Sequence, residues 1–167
     1  MLLIDIDPQG NASSGLGIGE DSRGIYELLL GDASQGEVIC STEIETLKII
    51  PSRVDLTGAE IELVSKESRE TVLKSALNGV REEFEFVVID CPPSLGLLTL
   101  NALAVSNSVL IPMQCEYYAL QGLSHLLKTL KLVKKSINPD LKVEGILLTM
   151  FDNRTLLATQ VKDQVQK

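Results

Sequence analysis

Phe86-Val87-Val88-Ile89-Asp90-Cys91-Pro92-Pro93 is the stretch that sets the fold. Val87, Val88 and Ile89 are β-branched in succession, the pattern of a central parallel strand buried on both faces. The run ends in a carboxylate, and Cys91-Pro92-Pro93 stops it because proline cannot donate to a ladder. Ligands of open α/β sheets sit beyond the carboxyl ends of the strands, so Asp90 is placed to meet a metal or the magnesium of a phosphate. An aspartate that merely caps the next turn has the same local sequence. A second strand with the same kind of ending, Met1-Leu2-Leu3-Ile4-Asp5-Ile6-Asp7-Pro8, favours the ligand reading.

The bulk properties suit that fold. A chain of 167 residues fits one domain with a sizeable core. Apolar residues make up 44% but aromatic ones only 4%, and tryptophan is absent, so the core must be aliphatic. The net charge of −8 argues against wholesale coating of nucleic acid or anionic membrane, while leaving room for a local basic patch. Cys40, Cys91 and Cys115 are far apart and lack metal-ligand spacing, which predicts buried thiols in a reducing compartment. Asp5 and Asp7 interrupt the opening apolar run before a signal sequence could form, and no stretch approaches a membrane span. The expected location is the cytoplasm, with no membrane partner.

Along the chain, strands are predicted at 2–6, 47–50, 108–112 and 143–150 besides the one ending at Asp90. Helices are predicted at 25–30, 56–64, 69–82, 97–104, 119–135 and 155–167. The run from Gln9 to Gly17 reads as a glycine-rich loop able to bend round a ligand, and a plain flexible loop has the same composition. In the helix at 119–135, Ala119, Leu123, Leu126, Leu127, Leu130 and Val133 share one face, opposite His125, Lys128, Lys131 and Lys135. Strands alternating with helices imply an α/β fold, doubly wound around a mainly parallel sheet. The chain opens inside a strand and closes inside a helix, as expected of a piece of a larger fold.

Asp5 and Asp7 flank Ile6, so in extended chain they point the same way, about 7 Å apart at Cα. Two carboxylates at a strand end favour a divalent cation, either both on the metal or one of them on a water. Pro8 pushes Asp7 towards an extended conformation and so holds its carboxylate in place. Asp5 reads equally as a supporting metal carboxylate or as a residue that only orders the loop. His125 is the only histidine, which leaves little material for a Ser-His-Asp or His-metal scheme. Cys91 has no histidine nearby in sequence to activate it. Tyr117 and Tyr118 read as packing residues, and the lysine stripe as a solvated helix face.

The pairing of Asp5-Ile6-Asp7-Pro8-Gln9-Gly10-Asn11 with Ile89-Asp90-Cys91-Pro92-Pro93-Ser94-Leu95-Gly96 resembles the ParA/Soj family of partition ATPases, the deviant Walker branch of the P-loop NTPases. The resemblance continues through residues 59–63, 100–103, 114–120 and 148–155, essentially the whole chain. It implies that Asp90 holds Mg²⁺ through water, with Asp5 in support. It also implies that 92–96 senses the γ-phosphate and that Asp7 is the catalytic switch aspartate positioning the attacking water. These roles suit phosphoryl transfer, which depends on positioning and charge neutralisation. Pro8, Pro92, Pro93, Met150 and Asp152 are the nucleotide contacts it implies. Arg154 matches an arginine that Soj proteins use to bind DNA without sequence preference in the ATP-bound dimer; the plainer alternative is a solvated arginine or one paired with Asp152. The partners implied are nonspecific DNA, a ParB-like protein and an ATP-dependent homodimer that associates with the nucleoid.

The family's Walker A loop, a Gly-rich turn with two lysines ahead of the first strand seen here, has no counterpart in these residues. Gly10 to Gly19 contains no lysine. The expectation is therefore a single incomplete ATPase domain over 1–167, lacking the first strand and P-loop, that by itself binds and hydrolyses ATP poorly. Two other readings stand beside it. One is a binding or regulatory module of the same fold. The other is a haloacid-dehalogenase-type phosphatase with Asp5 as nucleophile and Asp7 as acid, which Asp90 followed by Cys-Pro-Pro fits poorly.

Overall fold

The computed structural model of the chain describes residues 1–19, 21–116 and 118–165, with Arg81 described by its backbone alone. The described residues group into two compact units, 1–105 and 106–167, each taken by itself below.

The first unit is built on strand β1 (Leu2–Asp5). β3 (Lys48–Ile50) and β4 (Val87–Asp90) lie parallel to it on either side, and the short β2 (Cys40–Ser41) runs antiparallel to β3, giving the order β2-β3-β1-β4. Leu2, Ile4 and Ile6 are fully buried, as alternation along a strand requires of one face. They pack with Ile25, Leu28 and Leu29 of α2 (Ile25–Leu30), Leu56, Ala59 and Leu63 of α4 (Leu56–Val64), and Leu98 and Ala102 of α7 (Leu97–Val105). The spacing of the α4 residues is helical, so their burial follows from the sequence period. Gly31 ends α2 in the left-handed conformation at φ 88°, as the sequence predicts. Asn101 is fully buried: its carbonyl accepts Leu73 N–H and its amide donates to the Arg69 and Leu97 carbonyls, tying α7 to the segment before it.

Several expectations are corrected. β4 is not a strand buried on both faces: it pairs only with β1 among the described residues, and Val88 is 48% exposed. Three β-branched residues specify a strand, but its number of neighbours is set by topology, and β1 holds the centre. The helix predicted at 69–82 breaks into α5 (Val72–Ala76) and α6 (Val80–Glu83), because Gly79 adopts φ 92° between them. The glycine-rich loop contains a short helix, α1 (Asn11–Gly15), and α3 (Gln35–Val38) and β2 were not predicted. The three thiols are free and half-buried rather than buried.

The second unit is a βαβ unit with a further helix. β5 (Ser108–Gln114) and β6 (Lys142–Thr149) are parallel, with a register shift between Val109 and Leu110. α8 (Ala119–Ser136) connects them and α9 (Leu156–Val165) follows. The predicted apolar face of α8 is the shielded one, with Leu130 and Val133 buried, and His125, Lys128, Lys131 and Lys135 are exposed. Tyr118 is 75% exposed instead of packed, since it stands at the N-terminal cap of α8; Tyr117 lies outside the described residues. No helix among the described residues is long and apolar enough to cross a membrane.

Candidate functional site

Parallel pairing of β1 with β4 sets Asp5 directly opposite Asp90, so both strands end in a carboxylate at the same level. Ile6 N–H donates to the Asp90 carbonyl at 2.9 Å, extending that alignment by one residue. The chain then turns: Gln9 N–H donates to Asp7 Oδ1 at 3.0 Å and Gly10 N–H to the Asp7 carbonyl at 2.9 Å. This Asx-type turn fixes Asp7 through one carboxylate oxygen. Gly10 needs its left-handed φ of 60°, and a Cβ there would come within 3.1 Å of the Ser52 carbonyl.

Asp5 is fully buried. Its Oδ1 accepts Asp7 N–H at 3.1 Å, and its Oδ2 accepts Ser13 N–H at 2.9 Å and the Ser13 hydroxyl at 2.7 Å. Ser13 Oγ in turn accepts Ser52 N–H at 2.9 Å, linking β1, α1 and the end of β3. A buried carboxylate is tolerable when hydrogen-bonded in this way. Asp5 thus holds the turn that carries Asp7. Asp5 also lacks the open face that a phosphoryl-accepting nucleophile needs.

Asp90, by contrast, stays open to solvent. Partial burial of its carboxyl, together with the negative charges of Asp5 and then Asp7, pushes its pKa above the usual carboxylate range. Such a concentration of negative charge is relieved by a cation. Burial, and the charges of Asp90 and Asp7, raise the Cys91 thiol to about 12, so it stays protonated and is no nucleophile at neutral pH.

A groove of about 290 Å³ runs along these strand ends. Asp7, Pro8 and Gln9 form one wall, Pro92, Pro93 and Ser94 another, and Thr57 and Glu60 of α4 line it as well. The sequence reading thus placed Asp7, Pro8, Pro92 and Pro93 at one location but assigned no role to Glu60, Ser13 or Ser52. Among the described residues no cluster of three or more His, Cys, Asp or Glu side chains could cage a metal. Mg²⁺ does not require one: it keeps waters and takes oxygens from one or two carboxylates and from substrate phosphates. Asp90, open to solvent and surrounded by negative charge, supplies that kind of donor, so this strand end fits a hydrated Mg²⁺.

In the second unit, Met150 follows β6 at φ 51° and is 85% exposed. Arg154 is paired with Asp152 by bonds of 2.7 to 3.1 Å from Nη2 and Nε, and its own N–H donates to Asp152 Oδ1 at 2.9 Å. The Arg154 side chain, and then its backbone N–H, hold the Asp152 carboxyl below the usual range. The Arg154 side chain is 85% exposed.

The mainly parallel sheet flanked by helices is shared with P-loop NTPase-like structural neighbours, which places the fold in that class. The family model described as AAA domain matches residues 1–143. The chain is 58% identical to the chromosome partitioning protein ParA of Myxococcus xanthus, across 99% of this chain and 59% of that protein. It is 55% identical to the sporulation initiation inhibitor protein Soj of Bacillus subtilis, across 100% of this chain and 67% of that protein. Cobyrinic acid a,c-diamide synthase of Mycobacterium smegmatis, solved with an ATP analogue and magnesium, superimposes with a TM-score of 0.92 at 41% identity, covering 99% of this chain and 68% of that one. The chain belongs to the ParA/Soj family. It spans about three-fifths to two-thirds of the length of these curated relatives.

Proposed function

We propose that these residues are the switch-bearing part of a single ParA-type ATPase domain in a parent protein that binds MgATP, dimerises around it and segregates a chromosome or plasmid. The observation that carries this reading is the alignment of Asp5 with Asp90 and the shared groove formed by Asp7 and Pro92–Ser94. Bound Mg²⁺ supplies charge neutralisation at the triphosphate. Asp7, held by its turn, orients the attacking water and takes up its proton's hydrogen bond. The two prolines stiffen the loop after β4, so that contact with the terminal phosphate is transmitted to α7 rather than absorbed locally. Asp90 would hold the metal through water, and Asp5 acts from behind by fixing the Asp7 turn.

The parent is cytoplasmic, joins the nucleoid when ATP-bound, and is stimulated to hydrolyse by a ParB-like partner. Residues 1–167 contain no glycine-rich run with lysines of the Walker A kind. Isothermal titration of residues 1–167 with MgATP should therefore show only weak binding, and tight Mg²⁺-dependent binding would contradict this reading.

Arg154 contributes to DNA binding through phosphate contacts, made in the dimer where patches from two copies join. Arg154→Glu in the parent should weaken binding to all DNA sequences alike and reduce its salt dependence, with nucleotide affinity unchanged. Filter-binding titrations at several salt concentrations check this; a loss confined to certain sequences would contradict it.

A further inference from the structure

Glu60 stands at the contact between α4 and the loop that follows β4. Its neighbours Ala59 and Leu63 are buried in the core, which fixes the helix and leaves Glu60 at the groove margin. Glu60 Oε1 lies 3.4 Å from Leu98 N, among the first amides of the nine-residue helix α7, where the helix dipole favours a negative charge. At Gly96 a Cβ would come within 2.3 Å of the same Oε1 and 3.3 Å of the Glu60 carboxyl carbon. A side chain at Gly96 would therefore have to push the flexible end of Glu60 out of its present place. On its other side the loop is held by the Thr99 hydroxyl, which donates to the Ser94 carbonyl at 2.6 Å.

We propose that Glu60 is a positioning residue that ties the loop 92–96 to α4, with Gly96 as the gap that receives its carboxylate. The tether sets the distance between Pro92–Ser94 and Asp7 across the groove. Glu60 touches the loop rather than the reacting atoms, so it acts on turnover through loop placement. This rests on the hydrolase reading given above, and the test separates the two.

Amide hydrogen exchange and ATPase kinetics are measured on the parent protein carrying Glu60→Ala, Glu60→Gln or Gly96→Ala. In Glu60→Ala, exchange at Leu97 and Leu98 should rise by about 10-fold or more while β1 amides stay as they were. Its kcat should fall by about 10-fold with nucleotide Kd unchanged, the signature of lost positioning rather than lost binding. Glu60→Gln keeps an acceptor oxygen and should recover most of both losses, and Gly96→Ala should reproduce them by displacing the carboxylate. Unchanged exchange at Leu97 and Leu98 in Glu60→Ala, or raised exchange with normal kcat, overturns the proposal. If the unmutated protein hydrolyses no ATP, the functional reading fails, and the exchange data alone then decide whether the tether exists.

Discussion

Asp7→Ala in the parent protein loses turnover by a factor on the order of 10²–10⁴, the range for removing a group that positions or accepts a proton. Nucleotide affinity should be unchanged, because the role proposed for Asp7 is to orient the attacking water and not to hold the base or sugar. The expected consequence is a parent protein that still binds MgATP and dimerises as proposed but stays trapped in that state. The geometry supports this separation. Asp7 Oδ1 is committed to Gln9 N–H, while Asp5 and Gly10 hold the turn from the other side. Truncating Asp7 therefore removes one local bond and leaves the scaffold standing. Single-turnover hydrolysis alongside equilibrium nucleotide titration checks both halves, and a normal hydrolysis rate in Asp7→Ala refutes the assignment.

Asp5→Ala has the opposite profile. Two backbone N–H groups and the Ser13 hydroxyl lose their acceptor in a buried setting, and each unsatisfied donor is costly. The expected destabilisation is on the order of 3 kcal/mol. For a protein of this size that corresponds to a thermal midpoint lower by roughly 6–12 °C. Asp5→Asn keeps one acceptor but turns an amide towards Ser13, so its loss should lie between. Thermal or urea unfolding distinguishes the two readings of this residue. Unchanged stability together with lost metal affinity would place Asp5 on the metal instead of under the loop.

The legible parts of the fold were those whose determinants are local. Ile25–Leu30 stops at Gly31 because glycine takes the left-handed conformation there, and α8 carries a periodic apolar face that packing simply obeys. What escaped depends on distant partners. Asn-Ala-Ser-Ser-Gly has no apolar period, and α1 forms where Gly10 turns left-handed and Asp5 receives the Ser13 amide and hydroxyl. The position of β4 in the sheet is a matter of pairing, to which a run of β-branched residues is indifferent. At the site, Asp7 and Asp90 could be read from strand endings and prolines. Glu60 could not, because its meeting with Gly96 comes from packing α4 against α7. A glycine just before a helix start was the available signal, and it reads the same as any flexible turn.

In the proposed parent protein, the carboxylate-bearing ends of β1 and β4 hold one metal–nucleotide site. Replacing Mg²⁺ by paramagnetic Mn²⁺ in the parent protein saturated with ATP, and following backbone amide resonances, tests it directly. Nucleotide-dependent broadening is expected at Asp7, Gln9, Asp90, Cys91 and Ser94. Sharp, unshifted signals from those residues with Mn²⁺ and ATP both bound would contradict it.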